Sequence, residues 1–240
     1  MRAAGEGIQG RRDLARRYLL FLIGLFIAAL GVAFSTKAGL GTSPVASVPY
    51  SCSLVSGAFT FGGWLNLWSV LQITVQILVM KGKCRYGEIA IQTALAFVYG
   101  SLTNLACYLI RALTVETYLA QVLYMAAGCF ILAFGIWLQF KGGVAMLPGE
   151  AMNRAIAVAA GRRYENVKIF FDVLYILLSA VICLVFLGRL EGVREGSVVA
   201  ALVIGSIIKL YNALFDRRKG PVRPDGERAK ETKQTEEGRT

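Results

Sequence analysis

Six apolar segments separated by short polar gaps divide the chain. Each is long enough to cross a bilayer core of about 30 Å, which takes roughly 20 helical residues. The segments cover residues 18–37, 61–80, 88–110, 118–140, 167–187 and 196–216. The pattern predicts an all-α membrane protein with six transmembrane helices. A basic segment at 1–17 precedes the spans, and a polar tail at 218–240, predicted to be disordered, follows them.

Basic residues are concentrated in alternate gaps. They cluster before the first span and after the second, fourth and sixth, whereas the other gaps carry only Lys37, Arg111, Arg189 and Arg194. The positive-inside rule therefore predicts that both termini are cytoplasmic. The same distribution accounts for the net charge of +11 without a nucleic-acid partner.

A cleavable signal peptide is the alternative interpretation of the first segment, because basic residues precede it and small residues follow it. Two observations oppose this alternative. The apolar stretch is longer than the usual signal core, and a similar sequence returns in the middle of the chain.

Composition excludes several classes of enzyme. The chain has no His, which removes imidazole metal sites and both Ser-His-Asp and Cys-His catalysis. Its five Cys form no C-x-x-C pair and mostly lie in apolar runs, which predicts small buried side chains rather than disulfides. Because no nucleophile-base pair is evident either, the sequence predicts neither an enzyme nor a metal or cofactor site.

The most informative feature is an internal repeat. At an offset of 104, eight of 21 positions are identical, and the matches include Gly, Lys and Pro, which hydropathy alone does not produce. The offset becomes 103 at Val70 and Val173, and 105 at Gly100 and Gly205. Repeats at 18–113 and 114–217 thus contain three spans each, and an odd number of crossings inverts the second copy in the membrane. The identical pairs are Gly24, Phe26, Ile27, Ala29, Gly31, Lys37, Gly39 and Pro44 with Gly128, Phe130, Ile131, Ala133, Gly135, Lys141, Gly143 and Pro148.

A short helix is predicted after the first span of each repeat. Pro opens and Gly closes each one, which is the asymmetry expected at helix ends. A helix of about 14 residues is roughly 20 Å long and cannot span the bilayer, so each is predicted to be either re-entrant or interfacial. Further Gly residues before each Pro allow a sharp turn. The residues assigned to these turns and ends are Gly39, Gly41, Pro44, Gly57, Gly143, Pro148 and Gly161.

Ionisable residues inside apolar segments are functional candidates, because each costs about 2.5 to 3.5 kcal/mol near the bilayer centre. Asp172 and Lys209 are predicted to lie at the same depth, roughly 9 to 10 Å, and to touch. Ser69 and Asn104 are their neutral counterparts in the first repeat and are predicted to form the equivalent polar contact. The contact is either a structural ion pair or part of a coupling or substrate site.

Two further Lys residues extend the candidate site. Lys37 and Lys141 lie beside the short-helix N-termini, where an ammonium, a hydroxyl cap and free amides suit an anion. The alternative is that both are interfacial anchors. The predicted substrate-binding residues are Lys37, Thr42, Ser43, Asn66, Ser69, Gln72, Asn104, Lys141, Asp172 and Lys209.

One stretch resembles a known family. The sequence G-V-A-F-S-T-K-A-G-L-G-T-S-P at 31–44, followed by G-A-F-T-F-G-G at 57–63, resembles the YczE/YyaS/YitT family of bacterial integral membrane proteins, and most closely its YczE-like branch. The resemblance covers residues 18–215 and implies a multipass protein of the bacterial cytoplasmic membrane. It implies no substrate and no catalytic residue. The second repeat departs from the motif, with Ala-Met-Leu at 145–147 in place of Gly-Thr-Ser at 41–43.

These features favour a small-solute transporter or permease-like carrier that works by alternating access, with a small anionic or zwitterionic solute. The alternative is a non-transporting membrane partner or assembly factor that modulates another protein. A water-filled cavity lined by Lys37, Lys141, Asn66 and Asp172 favours transport, whereas a sealed interior with an exposed apolar groove favours the partner role. The coupling ion and homo-oligomerisation stay open.

Overall fold

The computed structural model describes residues 2–81 and 86–215, with side chains from residue 14 onward. Within these ranges the chain forms eight α-helices and no β-strand beyond one isolated bridge. The tail predicted to be disordered lies outside the described residues. The helices are α1 Arg2–Lys37, α2 Pro44–Val55, α3 Phe61–Val79, α4 Tyr86–Leu109, α5 Tyr118–Gly142, α6 Pro148–Ala160, α7 Tyr164–Leu187 and α8 Glu195–Phe215.

Six of these helices, α1, α3, α4, α5, α7 and α8, are long and apolar enough to cross a membrane. They coincide with the six predicted spans, so the all-helical, six-span prediction is confirmed. The remaining two, α2 and α6, are the predicted short helices, and each carries Pro near its first position. Because a Pro lacks the N–H that a helix interior needs, this position is where it fits best.

Glycine conformation sets the turns around the short helices, as predicted. Gly39 and Gly41, before α2, have φ of +70° and +99°, and Gly143, before α6, has φ of +56°. Gly161 ends α6 with φ of +61°. Side chains with a Cβ rarely adopt these values, which explains the choice of Gly.

The prediction that Gly57 closes α2 is wrong. The helix ends at Val55, and Ser56 already has the extended values φ −129° and ψ 123°. The Ser56 N–H donates to the carbonyl of Cys52, which satisfies the last turn. Since the chain leaves the helix at Ser56, Gly57 does not adopt the left-handed conformation that ends α6.

The most extensive helix contact joins α1 and α5, which run antiparallel. At one end Arg17 Nε donates to the carbonyl of Gly142 at 2.9 Å, and Ser35 contacts Gly128 further along. A Cβ on Gly24 would lie 2.7 Å from the carbonyl oxygen of Gly135. The two backbones therefore approach closely only because these positions lack side chains.

The α1–α5 contact repeats itself at the internal offset of 104. A Cβ on Gly128 would lie 2.9 Å from the carbonyl oxygen of Gly31, which mirrors the contact of Gly24 with Gly135. Other helix contacts have equivalents, namely α1–α4 with α5–α8, α2–α3 with α6–α7, and α2–α7 with α6–α3, whereas the extensive α3–α4 contact has no comparable one between α7 and α8. Val48 and Met152, equivalent in sequence, share one core cluster. These contacts follow the offset of the sequence repeat, and the inverted arrangement of the two repeats stays a prediction.

We expect that the close packing of α1 against α5 requires Gly at position 31. In a Gly31→Val variant, the new Cβ meets the Cα of Leu132 at 2.6 Å, which forces the helices apart. We expect a loss of roughly 1 to 3 kcal/mol in stability, typical of overpacking. Thermal unfolding of the purified protein in detergent measures this as a lower Tm.

Gly205→Val is the matched control, because Gly205 also lies in a helix but has nothing within 4 Å of its Cβ position. It should leave the Tm nearly unchanged. An equal loss in both variants contradicts the close α1–α5 contact.

Candidate functional site

A cavity of about 630 Å³ lies beside the N-terminal turn of α6. Its walls come from α4, α5, α6, α8 and the turn between α5 and α6. We call it the α6 cavity. Exposed Glu88 and Arg154 line it together with buried Gln92 and Gln139, so it runs from the surface into the helix bundle. Its polar lining residues are Glu88, Gln92, Gln139, Lys141, Glu150, Arg154 and Asn212.

The α6 cavity carries charges of both signs. Lys141 and Arg154 are basic, and Glu88 and Glu150 are acidic. Glu150 occupies the first turn of α6, where a carboxylate interacts favourably with the helix dipole. The N-terminus of α6 therefore faces a cavity lining of mixed charge. The Glu150 carboxylate already partly compensates the positive end of the helix dipole.

Glu150 and Arg154 lie one turn apart on α6, yet they form no ion pair with each other. Arg154 instead extends toward Met146, with Nη1 3.7 Å from the thioether sulfur. Burial raises the pKa of the Glu150 carboxyl, nearby Lys168 lowers it, and Asp172 raises it further. Neither side chain is paired with the other, so both are available to a third partner in the cavity.

Gln92 contributes an acceptor that lacks a partner. Its side chain is only 7% exposed, and among the residues that the structure describes none donates to Oε1. Leaving a buried acceptor unsatisfied costs about 1 to 3 kcal/mol. A bound molecule that donates a hydrogen bond from an N–H or O–H group recovers that cost.

The opposite end of the molecule, beside α2, is closed. Gly41 pairs with Val193 in an isolated antiparallel bridge. The Thr42 N–H donates to Ser197 Oγ at 3.0 Å, and both residues are fully buried. The chain before α8 therefore covers the N-terminus of α2.

The two ends correspond through the internal repeat. Four residues of the closed end have counterparts at an offset of 104 or 105, and all four counterparts line the α6 cavity. The pairs are Gly41 with Ala145, Thr42 with Met146, Val193 with Glu88 and Ser197 with Gln92. The molecule is consequently open beside one short helix and closed beside the other.

Two Lys residues are predicted to form the anion site, and of these Lys141 lines the α6 cavity. Its Nζ lies 5.5 Å from the centroid of the Trp137 ring. Lys37 instead donates from Nζ to the carbonyl of Arg111 at 3.2 Å, just beyond the end of α4. A symmetric pair of Lys-lined sites is therefore not formed, and Lys37 supports the chain after α4.

The hydroxyl cap predicted for α2 is wrong. Ser43 is the N-cap residue, but its side chain makes no capping hydrogen bond. The Ala46 N–H donates to the Ser43 carbonyl instead, which leaves the hydroxyl no role at the helix start. Thr42 Oγ1 is buried without a hydrogen-bond partner in the described part of the chain.

The predicted polar residues of α3 and α4 support the packing of these helices. Asn104 Oδ1 accepts from the Gly62 N–H at 2.8 Å, and its Nδ2 donates to Thr60 Oγ1 at 2.9 Å. The predicted contact of Asn104 with Ser69 is therefore wrong, because the start of α3 occupies the amide. Asn66 lies against Gly100 in the same interface.

Gln72 lies deeper than the other predicted polar residues. It is buried, and its Nε2 donates to Tyr175 Oη at 3.4 Å. It also lies within 3.4 Å of the Cβ position of Gly149, behind the first turn of α6. Gln72 thus connects α3, α6 and α7 without lining the α6 cavity.

The predicted contact between Asp172 and Lys209 is wrong. Asp172 pairs with Lys168, one turn earlier on the same helix, at 3.2 Å. Lys209 is exposed on α8, and within the described ranges it forms no ion pair. Equal depth did not bring the two together, because the neighbouring turn of α7 supplies a closer partner. Neither Asp172 nor Asn66 lines the α6 cavity.

Sequence reasoning missed Glu150, although a signal was present. Glu150 and Arg154 stand at i and i+4 on a short helix whose first-repeat counterparts, Ala46 and Tyr50, are uncharged. Charge that is present in one copy of a repeat and missing from the other marks a difference in role. Asn212 carried no such signal, and its Oδ1 accepts from Trp137 Nε1 at 3.0 Å.

The cysteines in the described residues are buried or half-buried, and Cys183 Sγ also donates to Ser51 Oγ and accepts from the Gly192 N–H. Cys129 and Cys183 are buried, Cys52 and Cys107 are half-buried, and all four are free thiols. Cys84 lies outside the described residues. In the part of the chain that the structure describes, no three His, Cys, Asp or Glu side chains are grouped as metal ligands.

Comparison with known proteins gives the family. Residues 15–213 match DUF6198, described as a family of unknown function. The chain belongs to the DUF6198 family. It is also 21% identical over 202 residues to the "Uncharacterized protein YyaS" of Bacillus subtilis (strain 168), a match that covers 84% of this chain and 94% of that protein. No solved structure matches the chain.

These findings confirm the predicted resemblance at the level of a YyaS-like family. The YczE-like branch stays a prediction. With its six long apolar helices, this member of DUF6198 is a multispan helical membrane protein whose exposed apolar side chains meet the lipid bilayer.

The revised partner of Asp172 can be tested with a double-mutant cycle. Asp172→Asn and Lys168→Gln should each lower stability, and the double variant should lose less than the sum, with a coupling of about 0.5 kcal/mol as for exposed i,i+4 pairs. Thermal unfolding in detergent measures the coupling. The matched cycle of Asp172→Asn with Lys209→Gln should be additive, and coupling there instead restores the original prediction.

Proposed function

We propose that this DUF6198 protein is a small-solute transporter that works by alternating access between two inverted repeats, and that it catalyses no covalent chemistry. The observation that carries the proposal is the difference between equivalent ends. The α6 cavity is open, whereas the corresponding region beside α2 is closed by the Gly41–Val193 bridge. A carrier caught in one of its two states has this asymmetry.

The packing of the two halves supports the proposal. The antiparallel α1–α5 pair relates the repeats, and the short helices follow from its opposite ends. If the halves exchange conformations, the Thr42 and Ser197 contact opens while Met146 and Gln92 approach each other. The α6 cavity then closes as a second cavity forms beside α2.

The charge distribution supports an orientation for this carrier. The opposite gaps carry four basic residues in total, whereas the gap after the fourth span, at the cavity end, alone carries five: Lys141, Arg154, Arg162, Arg163 and Lys168. By the positive-inside rule, the α6 cavity faces the cytoplasm and both termini are cytoplasmic. With a bacterial relative, the bacterial cytoplasmic membrane is the proposed location.

Orientation is tested by single Cys residues in a variant without native Cys. Glu191→Cys lies in the loop before α8, and Arg162→Cys lies between α6 and α7. In intact cells, an impermeant maleimide should label position 191 and spare position 162, which should react only after the membrane is opened. The reverse pattern contradicts the proposed orientation.

Alternating access is tested in the same Cys-free background. Met146→Cys, at the exposed mouth of the α6 cavity, should react from the cytoplasmic side. Thr42 is fully buried in this structure. A Cys at this position should nevertheless react slowly from the outside, because a carrier periodically opens the end beside α2. Ala29→Cys, equally buried between α1 and α4, is the control that no state exposes.

If position 42 stays as unreactive as position 29, the protein does not open at that end. The non-transporting partner or assembly factor then replaces the carrier as the proposed function. Metabolite profiling of a deletion strain, followed by uptake assays in vesicles, identifies the solute if the end does open.

A further inference from the structure

Two opposite charges on α6 face one cavity without neutralising each other. Glu150 and Arg154 are spaced at i and i+4, with the acid nearer the N-terminus, the order that favours pairing on a helix. On the neighbouring α7, Lys168 and Asp172 have the same spacing and do pair, at 3.2 Å. The separation of Glu150 from Arg154 therefore calls for a specific cause.

The positions of the two groups supply a geometry for a ligand. Arg154 is exposed and extends toward Met146, with Nη1 3.7 Å from the sulfur, whereas Glu150 is half-buried in the first turn. Both line the α6 cavity. One cationic and one anionic group are thus displayed about one helical turn apart, roughly 5 to 6 Å between the Cβ atoms.

A third group adds hydrogen-bonding specificity. Gln92 lines the same cavity, is 7% exposed, and has an Oε1 with no donor among the described residues. An amide oxygen accepts hydrogen bonds and cannot donate them, so it suits an N–H group rather than a carboxylate. Gln92 Oε1 and the Glu150 carboxylate therefore both favour a donor such as an ammonium, whereas Arg154 favours a carboxylate.

We propose that the α6 cavity binds a zwitterionic solute, with the carboxylate on Arg154 and the ammonium on Glu150 and Gln92 Oε1. The proposal rests on the proposed transport function for its biological meaning and deepens it by naming the substrate class. A simple anion is repelled by the Glu150 carboxylate, and a simple cation is repelled by the Arg154 guanidinium. A molecule with both charges satisfies both groups at once.

The rest of the cavity accommodates the body of such a molecule. Ile91, Ile136 and Trp137 line it, and Phe140 and Val144 add further apolar surface. The volume of about 630 Å³ lies within the range of roughly 300 to 1,000 Å³ typical of small-molecule sites. A zwitterion with an apolar or short aliphatic body therefore fits the lining.

The experiment uses the purified full-length protein and matched sets of probes. Each set contains an amino acid, the carboxylate that lacks its amine and the amine that lacks its carboxyl: leucine, 4-methylpentanoate and isopentylamine; β-alanine, propionate and ethylamine; γ-aminobutyrate, butyrate and propylamine. Thermal shift and calorimetry should show at least one zwitterion binding, with both of its fragments at least tenfold weaker.

Variants then locate the site. Glu150→Gln and Arg154→Gln should each weaken binding of that zwitterion at least tenfold. Glu165→Gln and Arg163→Gln are matched controls, because these exposed residues pair with each other at 3.6 Å at the start of α7, outside the cavity. They make the same charge changes and should leave binding unchanged. If a Gln variant fails to fold, Glu150→Asp and Arg154→Lys keep the charges and should retain measurable binding.

The possible failures are distinguishable. Binding of a carboxylate or an amine as tight as that of its zwitterion overturns the proposal, and so does a panel in which no zwitterion binds. Zwitterion binding without uptake into vesicles keeps the inference and overturns transport. Uptake of a solute that carries only one charge keeps transport and overturns the inference.

Discussion

The close antiparallel contact between α1 and α5 is the constraint on which the rest of the structure depends. Helices in lipid gain little from burying apolar surface, so they associate through close packing at small residues. Gly24, Gly31, Gly128 and Gly135 let the two backbones meet. Because the pair is antiparallel, the chain leaves it at opposite ends, and this places α2 and α6 at opposite ends of the molecule.

The two ends also differ in side-chain size at equivalent positions. Where the first short helix begins, Gly41 has φ of +99°, and a Cβ there would meet the Arg194 amide nitrogen at 2.9 Å. The second repeat has Ala145 at that position, which cannot adopt the same turn without strain. Facing it are Glu88 and Gln92, where the closed end has the smaller Val193 and Ser197. In this structure the smaller residues pack together at the closed end, and the larger polar residues line the open end.

The open end also explains where the charges lie. Ionisable side chains are costly in hydrocarbon and persist where they reach water or each other. Arg154 and Glu88 are exposed at the α6 cavity, and Asp172 meets Lys168 on its own helix. The cavity thus brings charges of both signs together beside helices that carry many exposed apolar side chains. This combination favours a carrier of polar solutes over a purely packing role.

The sequence by itself determined the six spans, the two short helices and the Gly turns that precede them. These depend on segment length, local backbone chemistry and a repeat visible in the chain. The tertiary structure alone decided that Asn104 binds the start of α3, that Asp172 binds Lys168, and that Glu150 shares a cavity with Gln92. The physical reason is that sequence gives the depth of a residue along a helix. The rotation of that helix about its axis, which selects the neighbours of each side chain, is set by packing against the other helices.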